Sequence, residues 1–415
     1  MSDALEVKYG LPADVKFCTR CVISNQRPST TVEFRNTAGE RKQTIAFDDE
    51  GVCAACRYQE IKARSIDWER REAELHDLCR QYRSRSGNYD CIVPGSGGKD
   101  SSFTAHVLRS RFDMHPLTVT WAPHVYTEVG WRNLQHWIHA GFDNVLFTPN
   151  GRVHRLLTKL AFENLLHPFQ PFIIGQKYIA PKFSALYGIP LVFYGENQAE
   201  YGNNIEENFR PTMDPRFFAA GGGLDEAVLG GVPAREIMAR YGIDAKELLP
   251  YVPADPERLH EVGTVVHYLG YYLPWDPQEC YYYSVRHTGF EANDERTEGT
   301  YSKYASIDDR VDPFHFYTTF VKFGIGRATY DAAQEIRNGK ITREEGVQLV
   351  RRYDAEFPRK YFAEFLDYVD ITEERFHELV DAGRSPHLWT NERGAWELRH
   401  TVWGAPAGAP VETCR

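Results

Sequence analysis

The 415-residue chain lacks any apolar run approaching the roughly 20 residues that cross a bilayer. Its opening Met1-Ser2-Asp3-Ala4 has neither the positive stretch nor the apolar core of an export signal. The expectation is a cytoplasmic protein with no membrane insertion. A basic excess is also missing: 48 Lys and Arg stand against 58 Asp and Glu, for a net charge of −10. That balance argues against a broad nucleic-acid surface, which shows as clustered positive charge. No internal repeat is visible. What is present is ordinary for a globular chain, with 42% hydrophobic and 26% charged residues and length enough for two or three domains. Of eight cysteines, Cys79, Cys91, Cys280 and Cys414 are scattered and the other four form two Cys-x-x-Cys pairs. Without an export signal, paired spacing favours metal over disulfide.

The most informative stretch is Pro94-Gly95-Ser96-Gly97-Gly98-Lys99-Asp100-Ser101-Ser102. Tyr89–Val93 before it reads as a strand. After it, Phe103/Val107 and Thr104/Leu108 recur one helical turn apart. A glycine-rich turn between strand and helix offers backbone N–H groups and the positive end of a helix dipole to an anion. Gly95, Gly97 and Gly98 admit positive φ and close approach. Ser96, Ser101 and Ser102 carry hydroxyl donors, and Lys99 a mobile charge. Asp100 fits such a nest only if a cation is also present, which suggests a magnesium–nucleotide complex. The spacing is not the Walker pattern. Instead, Ser-Gly-Gly-x-Asp-Ser resembles the pyrophosphate-binding loop of the PP-loop ATP pyrophosphatases, which split ATP into AMP and pyrophosphate. A Gly/Ser turn without a ligand is the plain alternative.

Cys18-x-x-Cys21 and Cys53-x-x-Cys56 together supply the four thiolates of a closed, structural zinc site. The 31 residues between the pairs exceed compact ribbon spacing, but Thr31–Phe34 and Thr44–Phe47 predict a hairpin that would close it. Redox activity of one pair, or two unrelated pairs, are the alternatives. A zinc-ribbon-like module over 1–60 is followed by a connecting helix from about Glu60 to Arg83, striped by Ile61, Trp68, Leu75 and Tyr82, within a connector over 61–87.

From Asn88 onward strands and helices alternate, predicting an α/β domain with a parallel sheet over 88–275. Strands are expected at 89–93, 116–121, 144–148, 189–194 and 264–269, with helices at 130–140, 153–166 and about 178–187. Ligands of open α/β sheets sit at the carboxyl ends of strands. Glu196, Asn197 and Glu200, which follow the strand ending at Tyr194, are therefore expected on the same rim as the glycine loop; an ordinary polar loop is the alternative. Gly221-Gly222-Gly223 reads as a hinge before helices at about 224–229 and 234–241. The aromatic cluster of Tyr271, Tyr272, Trp275, Tyr281, Tyr282 and Tyr283 reads as core or interface. The region 276–404 is expected to be helical, with Thr342-x-x-Glu345 as a capping box and Thr372 as a cap, and 405–415 to be a flexible tail.

Several stretches in order carry a longer resemblance: the two Cys pairs, Gly95–Ser101, Tyr194–Gly202, Asp308-Asp309-Arg310-Val311-Asp312, Phe320–Thr329 and Glu335–Gly346. On these the chain resembles the N-acetyl sugar amidotransferases of bacterial surface-polysaccharide and nonulosonic-acid pathways. The resemblance implies an adenine nucleotide alpha hydrolase-like domain, ATP and magnesium, and conversion of an acetamido group on a nucleotide-linked N-acetyl sugar to an acetamidino group. It also implies glutaminase and cyclase-like partners similar to imidazole glycerol phosphate synthase. The residues fit that need, since neither a Gly-x-Cys-x-Gly elbow nor an N-terminal cysteine supplies a built-in glutaminase. Lys99 and Asp100 are then expected at the reacting phosphates, Glu196 or Glu200 beside the developing amidinium, and Lys322 and Arg327 with Asn197 on the substrate. A surface location on a turn is the alternative for Lys322 and Arg327. Two other classes stay open: a PP-loop tRNA-thiolating enzyme, disfavoured by acidity and scarce cysteine after the loop, and a nucleotide-binding scaffold that turns nothing over.

Overall fold

The computed structural model describes residues 5–31, 33–39, 41–196, 209–219 and 223–404. Asn197 and Glu200 on the expected rim, Gly221-Gly222 of the expected hinge, and the tail 405–415 lie outside these residues.

Five parallel strands form the central sheet: β1 (Cys91–Pro94), β2 (Pro116–Trp121), β3 (Asn144–Phe147), β4 (Leu191–Tyr194) and β5 (Val265–Tyr268), in the order β3-β2-β1-β4-β5. The register sets Cys91 beside Pro116, Ile92 beside Val192 and Leu191 beside Val265. Every residue of β2 is buried, as a strand covered by helices on both faces requires. Among helices, α1 (Ala54–Arg64) and α2 (Trp68–Tyr82) precede the sheet, and α3 (Lys99–Phe112), α4 (Glu128–His139), α5 (Gly151–Leu165) and α6 (Gln170–Tyr187) connect its strands. The chain moves outward from β1 to β3, then crosses back to β4, so the order reverses between β1 and β4. At such a reversal the loops leaving the two strands diverge and open a crevice above their carboxyl ends.

Three expected elements differ. The single helix over 60–83 is two, because Ser65 ends α1 and Asp67 caps α2 by accepting from the Arg70 N–H at 3.0 Å. Among the described residues the hairpin of the cysteine module is absent. Glu33–Arg35 is a 3₁₀ turn whose Glu33 carboxylate accepts from Thr31 Oγ1 and Asn36 Nδ2, local bonds that compete with a ladder. Isolated bridges Pro28–Thr44 and Phe47–Cys53 tie the module instead. The helix expected at 224–229 is one turn, Gly223–Glu226, then Val228–Leu229 paired with Val232–Pro233. Gly230 and Gly231 take φ of 59° and 75°, the positive values a two-residue hairpin turn needs. The expected caps are present: Thr342 and Glu345 bond reciprocally, and Thr372 accepts from Arg375 N.

The C-terminal helices hold two parts of the protein together. Phe314, Phe365 and Phe376 pack with Phe162 of α5 in the cluster that includes β1, β2 and β4. From the helix Asp312–Phe323, Phe320 and Phe323 join the cluster of Cys18, Cys21, Cys53 and Cys56. One helix thereby sits between the sheet and the cysteine module, and the cavity described next lies along it.

Candidate functional site

The glycine loop crosses from β1 to α3 at the reversal point. Gly97 adopts φ +82° with its α-carbon against α4, where a Cβ would stand 2.7 Å from the Asn133 carbonyl oxygen. A Cβ on Gly95 would meet Ser101 at 2.1 Å. The loop is thus a tight nest that only glycine permits at these points. Gly98 precedes α3 without any side-chain cap, so the first-turn N–H groups face the crevice with the positive helix end.

The three hydroxyls are engaged within the protein. Ser101 and Ser102 donate to the carbonyls of Gly98 and Gly97 at 3.0 and 3.2 Å. Ser96 donates to the Asp308 carboxylate at 2.7 Å. Lys99 pairs with Asp100 through Oδ2. Burial works against the Lys99 charge, but the adjacent Asp100 outweighs it and raises its pKa. Asp100 Oδ1 is buried without a hydrogen-bond partner among the described residues. A hard cation coordinated by oxygen would satisfy that atom, so the residues present fit magnesium with a phosphate in the nest. Glu196, the last described residue of the rim, has its pKa raised by burial and then by Asp100. It therefore stands in the electrostatic reach of the loop, as its position after β4 implies.

Beside Lys99 and Asp100 opens a cavity of about 560 Å³. Lys322 and Arg327 both line it, along with Lys177, Lys42, His167 and His315. Lys322 is 5% exposed, so it is an inward-facing group and not a surface charge on a turn. Its Nζ donates to the Leu165 carbonyl at 3.0 Å, and burial lowers its pKa to about 7. Arg327 pairs with Asp331 at 3.1 Å, and its charge acts on both Lys99 and His315. The backbone on either side of it is not an open anion site, because Asp354 accepts from the N–H groups of Gly326 and Thr329 at 2.8 and 2.9 Å. On the cavity's far wall the Glu33 carboxylate lies 3.4 Å from His167 Nε2. Burial opposes its ionisation, but His167 and Lys42 prevail and hold it at about 2. Sequence reasoning gave no role to Glu33, Lys42, His167, Lys177, His315 or Asp308. Asp308-Asp309-Arg310 carried a resemblance, but its contact with Ser96 spans 212 residues and has no local signature.

The four paired cysteines converge. Their sulfurs lie within 4.8 Å of one another, with Cys18–Cys56 and Cys21–Cys53 each at 3.8 Å. A tetrahedron with metal–sulfur bonds of ~2.3 Å has edges of about 3.8 Å, whereas a disulfide needs ~2.05 Å. Backbone N–H groups of Arg20, Cys21 and Cys53 point at Cys18 Sγ at 3.4–3.5 Å, and the neighbouring thiols, Cys21 first, push its pKa down. This donor set is compatible with structural zinc. The same module sends Pro28–Thr31, Glu33 and Lys42 into the cavity wall, so the metal centre and the cavity share a scaffold.

Comparison with known proteins adds one decisive likeness. Residues 298–402 match the family described as LPS biosynthesis protein WbpG-like, C-terminal domain. This supports a lipopolysaccharide-pathway protein. The matched stretch contains Asp308, Lys322, Arg327 and Asp354, so it supplies one wall of the cavity and the partner of Ser96. A second likeness is to an uncharacterized protein, MJ1599, of Methanocaldococcus jannaschii, 27% identical over 78 residues, 19% of this chain and 27% of that protein. The chain thus spans about a quarter of the length of that curated relative.

Proposed function

We propose that the protein is an ATP-dependent amidotransferase of lipopolysaccharide or O-antigen biosynthesis, acting on a nucleotide-linked N-acetyl sugar. The observation that carries this reading is the shared cavity: Lys99 and Asp100 of the glycine loop face the same space as Lys322 and Arg327 of the lipopolysaccharide-family stretch. ATP bound in the nest, with magnesium at Asp100, would supply the adenylyl group. Lys99 and the loop N–H groups neutralise charge as pyrophosphate departs. The acetamido oxygen becomes O-adenylated, ammonia replaces it at carbon, and AMP leaves. Glu196 faces the cation formed in that step, and Arg327 holds an anionic part of the substrate. A glutaminase and a cyclase-like subunit supply ammonia in this scheme.

Thiolation is the weaker reading on a specific ground. Cys280, on the helix whose Ser284 bonds the Lys99 carbonyl, lies within electrostatic reach of Lys99 and Asp100. It is buried, and burial raises its thiol far from thiolate, the wrong direction for a sulfur carrier. The test incubates the protein with Mg-ATP, an ammonium salt and UDP- or CMP-linked N-acetyl sugars, followed by mass spectrometry. A product lighter by about one mass unit, from O replaced by NH, with equal AMP, supports the assignment. Loss of all sugar dependence, with AMP formed only on adding tRNA and a sulfur donor, moves the protein to the thiolation class.

A further inference from the structure

The chemistry proposed above leaves one requirement unassigned. At neutral pH ammonia in solution is mostly ammonium, which has no lone pair, so nitrogen that enters the cavity from that pool needs a base to take a proton before it can attack. The cavity holds an arrangement that meets this need away from the glycine loop. Lys322 Nζ is buried and finds one hydrogen-bond acceptor among the described residues, the Leu165 carbonyl. Facing it are Glu33 and Lys42 from the cysteine module, His167 from the turn after α5, His315 from its own helix and Arg327 from the next. Phenylalanine and tyrosine rings close the other side, with the Tyr9 and Phe323 centroids 5.9 and 5.1 Å from Nζ.

Among the carboxylates lining the cavity, Glu33 is the one whose charge reaches Lys322, and it is already committed, while Asp331 is taken up by Arg327 at 3.1 Å. Glu33 takes bonds from Thr31 and Asn36 and lies against His167, while Lys42 donates to Asn36. Burial and the Lys42 charge outweigh what Glu33 and the two rings return to a Lys322 cation, so the desolvated ammonium gives up its proton readily. A neutral amine suits the geometry: one N–H reaches Leu165, and the lone pair remains for the cavity. His167 and His315 stack at 5.0 Å, and His315 Nδ1 has no hydrogen-bond partner among the described residues. Burial lowers the pKa of both rings, and of His315 further than of His167.

We propose that Lys322 is the general base that deprotonates ammonium inside the cavity, its burial and the neighbouring Lys42 charge keeping it neutral between turnovers. The inference rests on the amidotransferase reading. Ammonium gives one proton to Lys322 Nζ and becomes ammonia. The nitrogen lone pair forms a C–N bond at the O-adenylated imidate carbon, and the C–O bond breaks with its electron pair leaving on AMP. Two hydrogens of ammonia stay on the new amidinium nitrogen, beside the N–H that the sugar nitrogen already carries. The third leaves to water as AMP departs, and Lys322 then returns its own proton to water.

Hydroxylamine separates this role from a structural one, because its free base predominates at neutral pH and needs no deprotonation. Turnover of Lys322→Met and Lys322→Arg is measured with ammonium and with hydroxylamine, alongside sugar-dependent ATP–pyrophosphate exchange by the wild type. Both variants are expected to lose about 100-fold more turnover with ammonium than with hydroxylamine, the usual scale of a missing general base. The wild-type rate with ammonium should also bend near pH 7, a bend absent from both variants. Equal losses with the two nucleophiles, or no loss with ammonium, overturn the base assignment. Absence of wild-type exchange with every acetamido sugar removes the amidotransferase reading itself, a result the variants do not affect.

Discussion

Ser96 of the glycine loop and Asp308 of the C-terminal region share a 2.7 Å hydrogen bond across 212 residues. Asp308 is also wedged against α4, where a Cβ on Gly130 would lie 2.5 Å from the Asp308 Cα. Asp309 beside it accepts from the backbone N–H of His124 at 2.7 Å and of Val311 at 2.9 Å. The loop, α4, the end of β2 and the C-terminal stretch around Asp308 therefore form one interlocked unit. Gly130→Ala pushes the Asp308 backbone away and strains this unit by about 1–3 kcal/mol. The expected result is a lowered unfolding midpoint together with a raised KM for ATP. Stability falling with KM unchanged would show that the contact holds the fold without shaping the nest.

The cysteine module should be tested by metal removal. Its four thiols are buried, and they share a hydrophobic cluster with Phe320, Phe323, Ala332 and Trp389. A strong chelator, or Cys53→Ser, should release about one zinc per chain and lower the unfolding midpoint, since binding energy of a closed site is folding energy. Because Pro28–Thr31 and Lys42 line the cavity, sugar-dependent turnover should fall more than ATP binding. A purified protein that carries no zinc yet unfolds at the same midpoint with and without chelator would contradict a structural metal.

Asp354 gives a pH dependence with a definite sign. It is buried, accepts from Gly326, Thr329 and the Thr329 hydroxyl, and burial raises its pKa from 3.8 to about 6. The folded state therefore holds a proton that the unfolded chain has released. That contribution is fully present below the unfolded value near 4 and is lost as pH rises through about 6. Asp354→Asn removes the titration, so its unfolding midpoint should change less between pH 4 and 6 than that of the wild type. At higher pH the variant should still be less stable by about 1–3 kcal/mol, from a lost acceptor at the start of the helix Arg327–Arg337.

Local chemistry explains what the sequence made legible. β2 was readable to the residue because Pro116–Trp121 is a short β-branched run bounded by turns, and Thr342 and Glu345 declared their helix by spacing alone. The cysteine cluster was legible because two Cys-x-x-Cys turns have few other uses. The failures also have local causes. Thr31–Phe34 looks like a strand until Glu33 captures Thr31 and Asn36, and the 60–83 stripe runs unbroken in the sequence through the Asp67 cap. The far wall of the cavity was invisible for a different reason. Glu33, His167 and Lys322 come from three separate segments, and only the packing of Phe320 and Phe323 against the cysteine module brings them together.

Asp100 is the sharpest test of the loop's chemistry. Its Oδ2 holds Lys99 and its Oδ1 is buried with no hydrogen-bond partner among the described residues. Two roles are separable: an anchor for the lysine, or a ligand for magnesium carried with the nucleotide. Asp100→Asn keeps the shape and removes the charge on which both roles draw, but the two differ in what restores activity. A magnesium ligand lost in this way shifts half-saturation by the cation, and raised magnesium recovers part of the rate. A lost lysine anchor lowers the rate at every magnesium concentration. The expected outcome is an increase of about 10-fold or more in the magnesium needed for half-maximal AMP release, as for removal of one charged ligand worth ~1.4 kcal/mol. An unchanged magnesium requirement with a uniformly lower rate would assign Asp100 to Lys99 alone and leave the buried Oδ1 without a cation.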